Sequence, residues 1–108
     1  MGYEIHIERE NNKITLAEWN NFIEQSNEFK KVDKLEANNP ITGEKIVLES
    51  PNTGIWEIKG LKIPFTFSEK WGWISVKNPE QFIIKKIVEM SKIFNGKVIG
   101  EEGEEYNG

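Results

Sequence analysis

The chain has 108 residues, 37% of them apolar and 30% charged, with no cysteine, a single histidine and a formal net charge of −4. That length suits one domain with a true core, burying roughly 65% of the surface its unfolded chain exposes. Zero cysteines exclude a disulfide framework, a thiol nucleophile and a cysteine-built zinc site, and one histidine excludes a histidine-pair metal site within one chain.

The N-terminal run Tyr3, Ile5 and Ile7 alternates with Glu4, His6 and Glu8, the period-2 pattern of a strand with one buried face. "MGYEIHIERE" has neither a basic start nor an apolar signal core, and no apolar run nears the ~20 residues of a membrane span, so a cytoplasmic protein is expected. Met1-Gly2 would suit myristoylation only with Ser or Thr where His6 stands.

"ITLAEW" carries a full helix start: Thr15 as N-cap, Glu18 closing a capping box, and Ile14 placed to staple onto Trp19. Leu16, Trp19, Phe22 and Ile23 share one face of that helix, which should end within "QSNEFKK". Val32 to Ser50 reads as a hairpin turning at Pro40 and Gly43. "PNTG" is expected to break the chain before "IWEIKG", and Gly60 to turn it into "LKIPFTF", where Pro64 suggests an edge strand or a bulge.

In "KWGWISVKNPEQ", Trp71-Gly72 reads as a turn, Trp73 to Lys77 as a strand, and Asn78-Pro79 as a helix start with Asn78 as N-cap and Gln81 at the capping-box site. The helix should run to about Phe94 and stop in a left-handed cap at Asn95-Gly96, with "KVIG" as a strand after it. The reading is an α+β single domain over residues 1–100, with an antiparallel or mixed sheet of about six or seven strands and two helices packed on one face. The order is a strand, a helix, four or five strands, a helix and a strand (β-α-β-β-β-β-β-α-β with five). Residues 101–108 follow as an acidic C-terminal segment.

Few residues invite chemistry. His6 between two glutamates suits a catalytic or pH-sensing role, weighed against an ordinary solvated strand face. No nucleophile-elbow sequence accompanies any serine, and scattered lysines disfavour nucleic-acid binding, so a non-enzymatic reading without cofactor or metal stands first. Residues 1–100 balance at 14 charges of each sign, so the net −4 resides in "EEGEEYNG". Its Glu101, Glu102, Glu104 and Glu105 lack the alternate spacing of a calcium loop and form either a frayed tail or a docking patch for a basic partner. "WGW" allows at most one fully buried tryptophan; Trp71, in the turn, is the expected exposed aromatic anchor for a protein partner.

"YEIHIERENNKITLAEW", "EANNPITGE" and "WISVKNPE…IVEMSKIFNGKVIGEEGEEY" together resemble, over nearly the whole chain, a family of small bacterial proteins. Its members have a similar Y-x-I-x-I-x-R strand, I-T-L-x-E-W helix, K-N-P helix start and acidic G-x-x-G-E-x-Y end. The family looks like the immunity proteins carried beside toxin genes in contact-dependent or polymorphic toxin systems. The resemblance implies direct neutralisation of a cognate, basic toxin domain, with Glu101, Glu102, Glu104, Glu105, Tyr106 and Trp71 as contact residues, and no catalytic residues to carry over. A regulatory or scaffolding module is the alternative, and a small enzyme using glutamates and His6 a third.

Overall fold

The computed structural model describes residues 3–106, the side chain of Ala37 excepted; Met1 and Gly2, on which the myristoylation reading falls, lie outside the described residues. The expected α+β order holds: β1 (Glu4–Glu8), α1 (Leu16–Gln25), β2 (Phe29–Asn38), β3 (Lys45–Ile58), β4 (Leu61–Ser68), β5 (Trp73–Lys77), α2 (Gln81–Ile93), β6 (Lys97–Gly100) and β7 (Glu105–Tyr106). The seven strands form one antiparallel sheet in the order β2-β3-β4-β5-β1-β6-β7. Both helices cover the same face. Trp19 and Ile23 of α1 and Ile83, Ile87, Val88 and Met90 of α2 meet Ile5, Ile7, Phe65, Ile74 and Val98 of the sheet in one core.

The first helix forms as its sequence dictates. The Thr15 hydroxyl accepts from the Glu18 N–H at 3.2 Å, and the Glu18 carboxylate accepts from the Thr15 N–H at 3.1 Å. Arg9 completes the arrangement with a two-pronged pair to Glu18, both bonds 2.8 Å, and donates to the carbonyls of Asn12, Lys13 and Phe94. The guanidinium thereby ties the end of β1, the start of α1 and the end of α2 together.

"PNTG" is corrected by the structure: it does not end a strand, because β3 runs unbroken from Lys45 to Ile58. Its turn-like residues serve helix docking instead. Asn52 adopts a left-handed φ of 63° in an irregularity opposite Val32 and Lys34, and its carbonyl accepts the Trp19 indole N–H at 2.9 Å. Thr53, fully buried, donates to the Ser50 carbonyl at 2.9 Å. Gly54 leaves room for the indole: a Cβ there would lie 2.9 Å from Trp19 Cζ2.

The helix start at Asn78 is a second correction. The N-cap of α2 is Glu80, without a side-chain cap bond. Asn78 instead takes a left-handed φ of 48° and closes the end of β5 onto the start of β1, its Oδ1 accepting the Tyr3 N–H at 3.0 Å and its own N–H donating to the Tyr3 carbonyl. The opposite end of α2 follows its sequence, with Asn95 left-handed at φ 56° and the Gly96 N–H returning to the Ser91 carbonyl at 2.8 Å. Pro64 is tolerated because β4 pairs with β5 only from Thr66 onward, so before that point β4 is locally an edge.

Two hairpins extend from this frame. β2 and the first half of β3 project past β4 as an arm, because Lys45 to Glu49 pair with β2 alone. The molecule is accordingly elongated, 47 × 29 × 28 Å. At the other sheet edge the acidic segment turns back through Gly103, at φ 84°, and joins the sheet as β7 on β6. Through Tyr106 it is thus a hairpin of the domain rather than a frayed tail.

Candidate functional site on the helix-free face

The strands alternate, so the face away from the helices carries the residues the core does not use. Register places Thr66, Ser75, His6, Ile99 and Glu105 in one row across β4, β5, β1, β6 and β7. Glu4, Glu8, Trp73 and Lys77 flank that row on the same face.

At its centre His6 is not solvated. Its imidazole stacks on the Trp73 indole with ring centres 3.8 Å apart and planes 15° from parallel, which leaves its side chain 12% exposed. Its buried Nε2 has no hydrogen-bond partner, and the Glu8 carboxylate stands 3.4 Å away, positioned to attract a protonated ring. The solvated-face reading of His6 is thereby corrected: the covering ring comes from a neighbouring strand, two positions from its paired residue Ser75.

Trp71 extends the stack, its ring 5.3 Å from that of Trp73 at 23°, with the Lys70 ammonium 5.1 Å from its ring centre. It remains 52% exposed, as its place in the turn predicts. The turn itself is fixed. Gly72 has φ 69°, its N–H returns to the Ser68 carbonyl at 2.7 Å, and a Cβ on it would approach Lys13 Cβ to 2.5 Å. The result is an exposed indole in a defined orientation.

The acidic residues stand at the far end. Lys77, at the other end of β5 from Trp71, pairs with Glu4, whose N–H donates to the Glu101 carboxylate at 2.9 Å. Strand rise separates Trp71 from this end by about 20 Å. Glu104 accepts the Glu102 N–H at 3.2 Å within the hairpin, and Glu101, Glu102, Glu104 and Glu105 are all exposed. Tyr106 separates from its neighbours. It pairs with Val98, packs against the core, and its hydroxyl lies 2.6 Å from that of Tyr3. That bond, with some desolvation and the nearby Glu104, raises the Tyr3 phenol above its usual range. Tyr106 therefore turns inward while Glu105 points to the helix-free face.

A second polar group was not legible in the sequence. Glu28 accepts from Lys86 at 3.0 Å and from the Trp56 indole at 3.3 Å, which holds its carboxyl below the usual range. Lys86 also lies over Trp56, 5.1 Å from the ring centre. The group clamps α2 to the start of β2. Arg9 had a weak signal as the single arginine of the chain; only folding shows which carbonyls it reaches.

Among the described residues, no cluster of three or more His, Asp or Glu side chains is placed to hold a metal ion, and no helix is long and apolar enough to cross a membrane. No family model, curated protein or solved structure matches the chain.

Proposed function

We propose that the chain is a non-catalytic protein-binding domain that neutralises a cognate bacterial toxin by direct contact through its helix-free face. The observation that carries this reading is the exposed Trp71 indole, held at one end of that face by Trp73, Gly72 and Lys70. A rigid aromatic ring binds with little loss of side-chain entropy and is the kind of group that dominates interface energetics. The charge of the part of that face formed by β5, β1, β6 and β7 favours a basic partner. Glu4, Glu8 and Glu105 lie on it and Glu101 borders it, against Lys77 and Lys97, while Lys62 and Lys30 stand on the same face further out, on β4 and β2. The toxin-neutralising part of the reading rests on the resemblance of the three sequence stretches to immunity proteins.

A span of about 20 Å between Trp71 and the acidic hairpin is within the width of one standard interface. Carboxylates at one end then steer a cationic surface on approach, and the indole anchors it at the other. The test is co-expression with the toxin domain encoded beside this chain's gene. Restored growth and a one-to-one complex weakened by Trp71→Ala are expected. Absence of such a neighbouring gene, or failure of the two products to associate, would overturn the reading.

A further inference from the structure

We propose that two copies of this chain pair through the outer edge of β2, joining their sheets about a two-fold axis that passes between the two Leu35 residues. β2 is the terminal strand of the sheet, so over Phe29–Asn38 one backbone edge pairs with no other described strand. An unpaired edge of that length templates another strand unless its side chains oppose it. Among the centres that pair more than three residues of β2, the charges permit one register and resist the others.

In a two-fold antiparallel pair, a residue sits opposite its own copy and its neighbours sit opposite one another in mirrored order. The strand reads Phe29, Lys30, Lys31, Val32, Asp33, Lys34, Leu35, Glu36. Centring on Lys31, Asp33, Lys34 or Glu36 opposes identical charges at the axis. A centre on Val32 sets Lys30 opposite Lys34 twice. With Leu35 at the centre, Lys34 faces Glu36 of the second copy, Glu36 faces Lys34 of the second copy, and no like charges stand opposite.

The rest of the arm extends both faces of that pairing. On one face, Lys34 is already opposite Glu49, and the Glu36 carboxylate is 3.0 Å from the Lys45 ammonium. In the dimer Lys34 gains a second carboxylate and Glu36 a second ammonium, so opposite charges follow one another from Glu49 through Lys34 and Glu36 of the second copy to its Lys45, the last step diagonal because Val47 stands opposite Glu36. On the other face Leu35 is opposite Leu48, which is 57% exposed, with Ile46 diagonal to it at 43% exposed. Two-fold pairing sets Leu48, Leu35, Leu35 and Leu48 in one row and withdraws from water the apolar side chains that the monomer leaves uncovered. This surface lies on the arm and is distinct from the helix-free face around His6.

Sedimentation of the full chain over micromolar to millimolar concentrations is expected to show a monomer–dimer equilibrium. Lys34→Glu opposes two carboxylates and Glu36→Lys two ammoniums, so each variant alone is expected to dimerise at least tenfold more weakly. Mixing the two variants restores both opposite-sign pairs, and a mixed dimer is expected. Because the chain has no cysteine, Leu35→Cys introduces a single thiol. That thiol would face its own copy across the axis and close an intermolecular disulfide on mild oxidation. Asp33→Cys, displaced from its copy by about 14 Å along the strands, would not. Circular dichroism verifies that each variant is folded. A wild-type chain that stays monomeric, a dimer indifferent to both charge changes, or equal crosslinking at positions 33 and 35 would overturn the proposal.

Discussion

The imidazole of His6 lies face to face with the indole of Trp73, their centres 3.8 Å apart, in the middle of the sheet face that no helix covers. The pair is a cross-strand contact between β1 and β5, diagonal to the paired residues His6 and Ser75. It gives a histidine flanked by two glutamates in sequence an apolar roof in the fold.

The stack is expected to be an energetic unit. A double-mutant cycle over His6→Ala and Trp73→Ala, measured by urea unfolding, should yield a coupling of about 1 kcal/mol, the usual worth of a stacked ring pair beyond its buried area. Additive losses would mean that the two rings are neighbours without interaction.

Arg9 and Glu18 should set an acid limb of stability. The paired guanidinium, with the Thr15 hydrogen bonds, lowers the Glu18 carboxyl from 4.5 to about 2. A carboxyl that is harder to protonate when folded stabilises the fold above its unfolded value and loses that contribution as pH falls through the folded one. Urea midpoints should therefore fall between pH 4.5 and pH 2, and Arg9→Lys should flatten that limb. Arg9→Ala at neutral pH should cost about 2–4 kcal/mol, because it also strips donors from the carbonyls of Asn12, Lys13 and Phe94.

Gly54 should be intolerant of a side chain. A Cβ 2.9 Å from Trp19 Cζ2 must displace an indole whose N–H is committed to the Asn52 carbonyl. Gly54→Ala is expected to destabilise by about 1–3 kcal/mol, the ordinary cost of overpacking a core, and Gly54→Val by more. Thermal unfolding of the two variants checks both values.

Trp71 should separate stability from binding. As a half-exposed turn residue, its replacement by alanine should leave unfolding free energy within about 0.5 kcal/mol of the wild type. Affinity for the proposed partner should fall at least tenfold, as expected of an aromatic anchor. Loss of stability without loss of affinity would assign the indole to the fold alone. Glu102→Lys, on an exposed residue of the acidic hairpin, should slow association and reduce its salt dependence without affecting unfolding.

Local signals were legible where the chemistry they report is itself local. Thr15 and Glu18 close their box through bonds between residues three apart, and Asn95 takes its left-handed conformation within the turn that ends α2. The same reading misplaced "PNTG" and Asn78. The first was read as a break in the chain and the second as a helix N-cap, but the structure gives both to distant partners, Trp19 for the first and Tyr3 for the second. For the site, Trp71 was legible because a tryptophan before a turn glycine has little core to enter. The inward turn of Tyr106 was not, since it depends on pairing with Val98 and on a hydroxyl 103 positions away.

The sequence by itself determined the class of fold and the two helices, because apolar periodicity and capping residues act within a few positions of the chain. It also determined the uneven charge, with the excess carboxylates gathered after residue 100. Only the tertiary structure decided that β1 lies between β5 and β6, which sets Trp73 over His6 and turns the acidic segment into the last strand of the sheet. Strand order and register are properties of contacts between residues far apart in the chain, and neither is encoded in the local pattern of one strand.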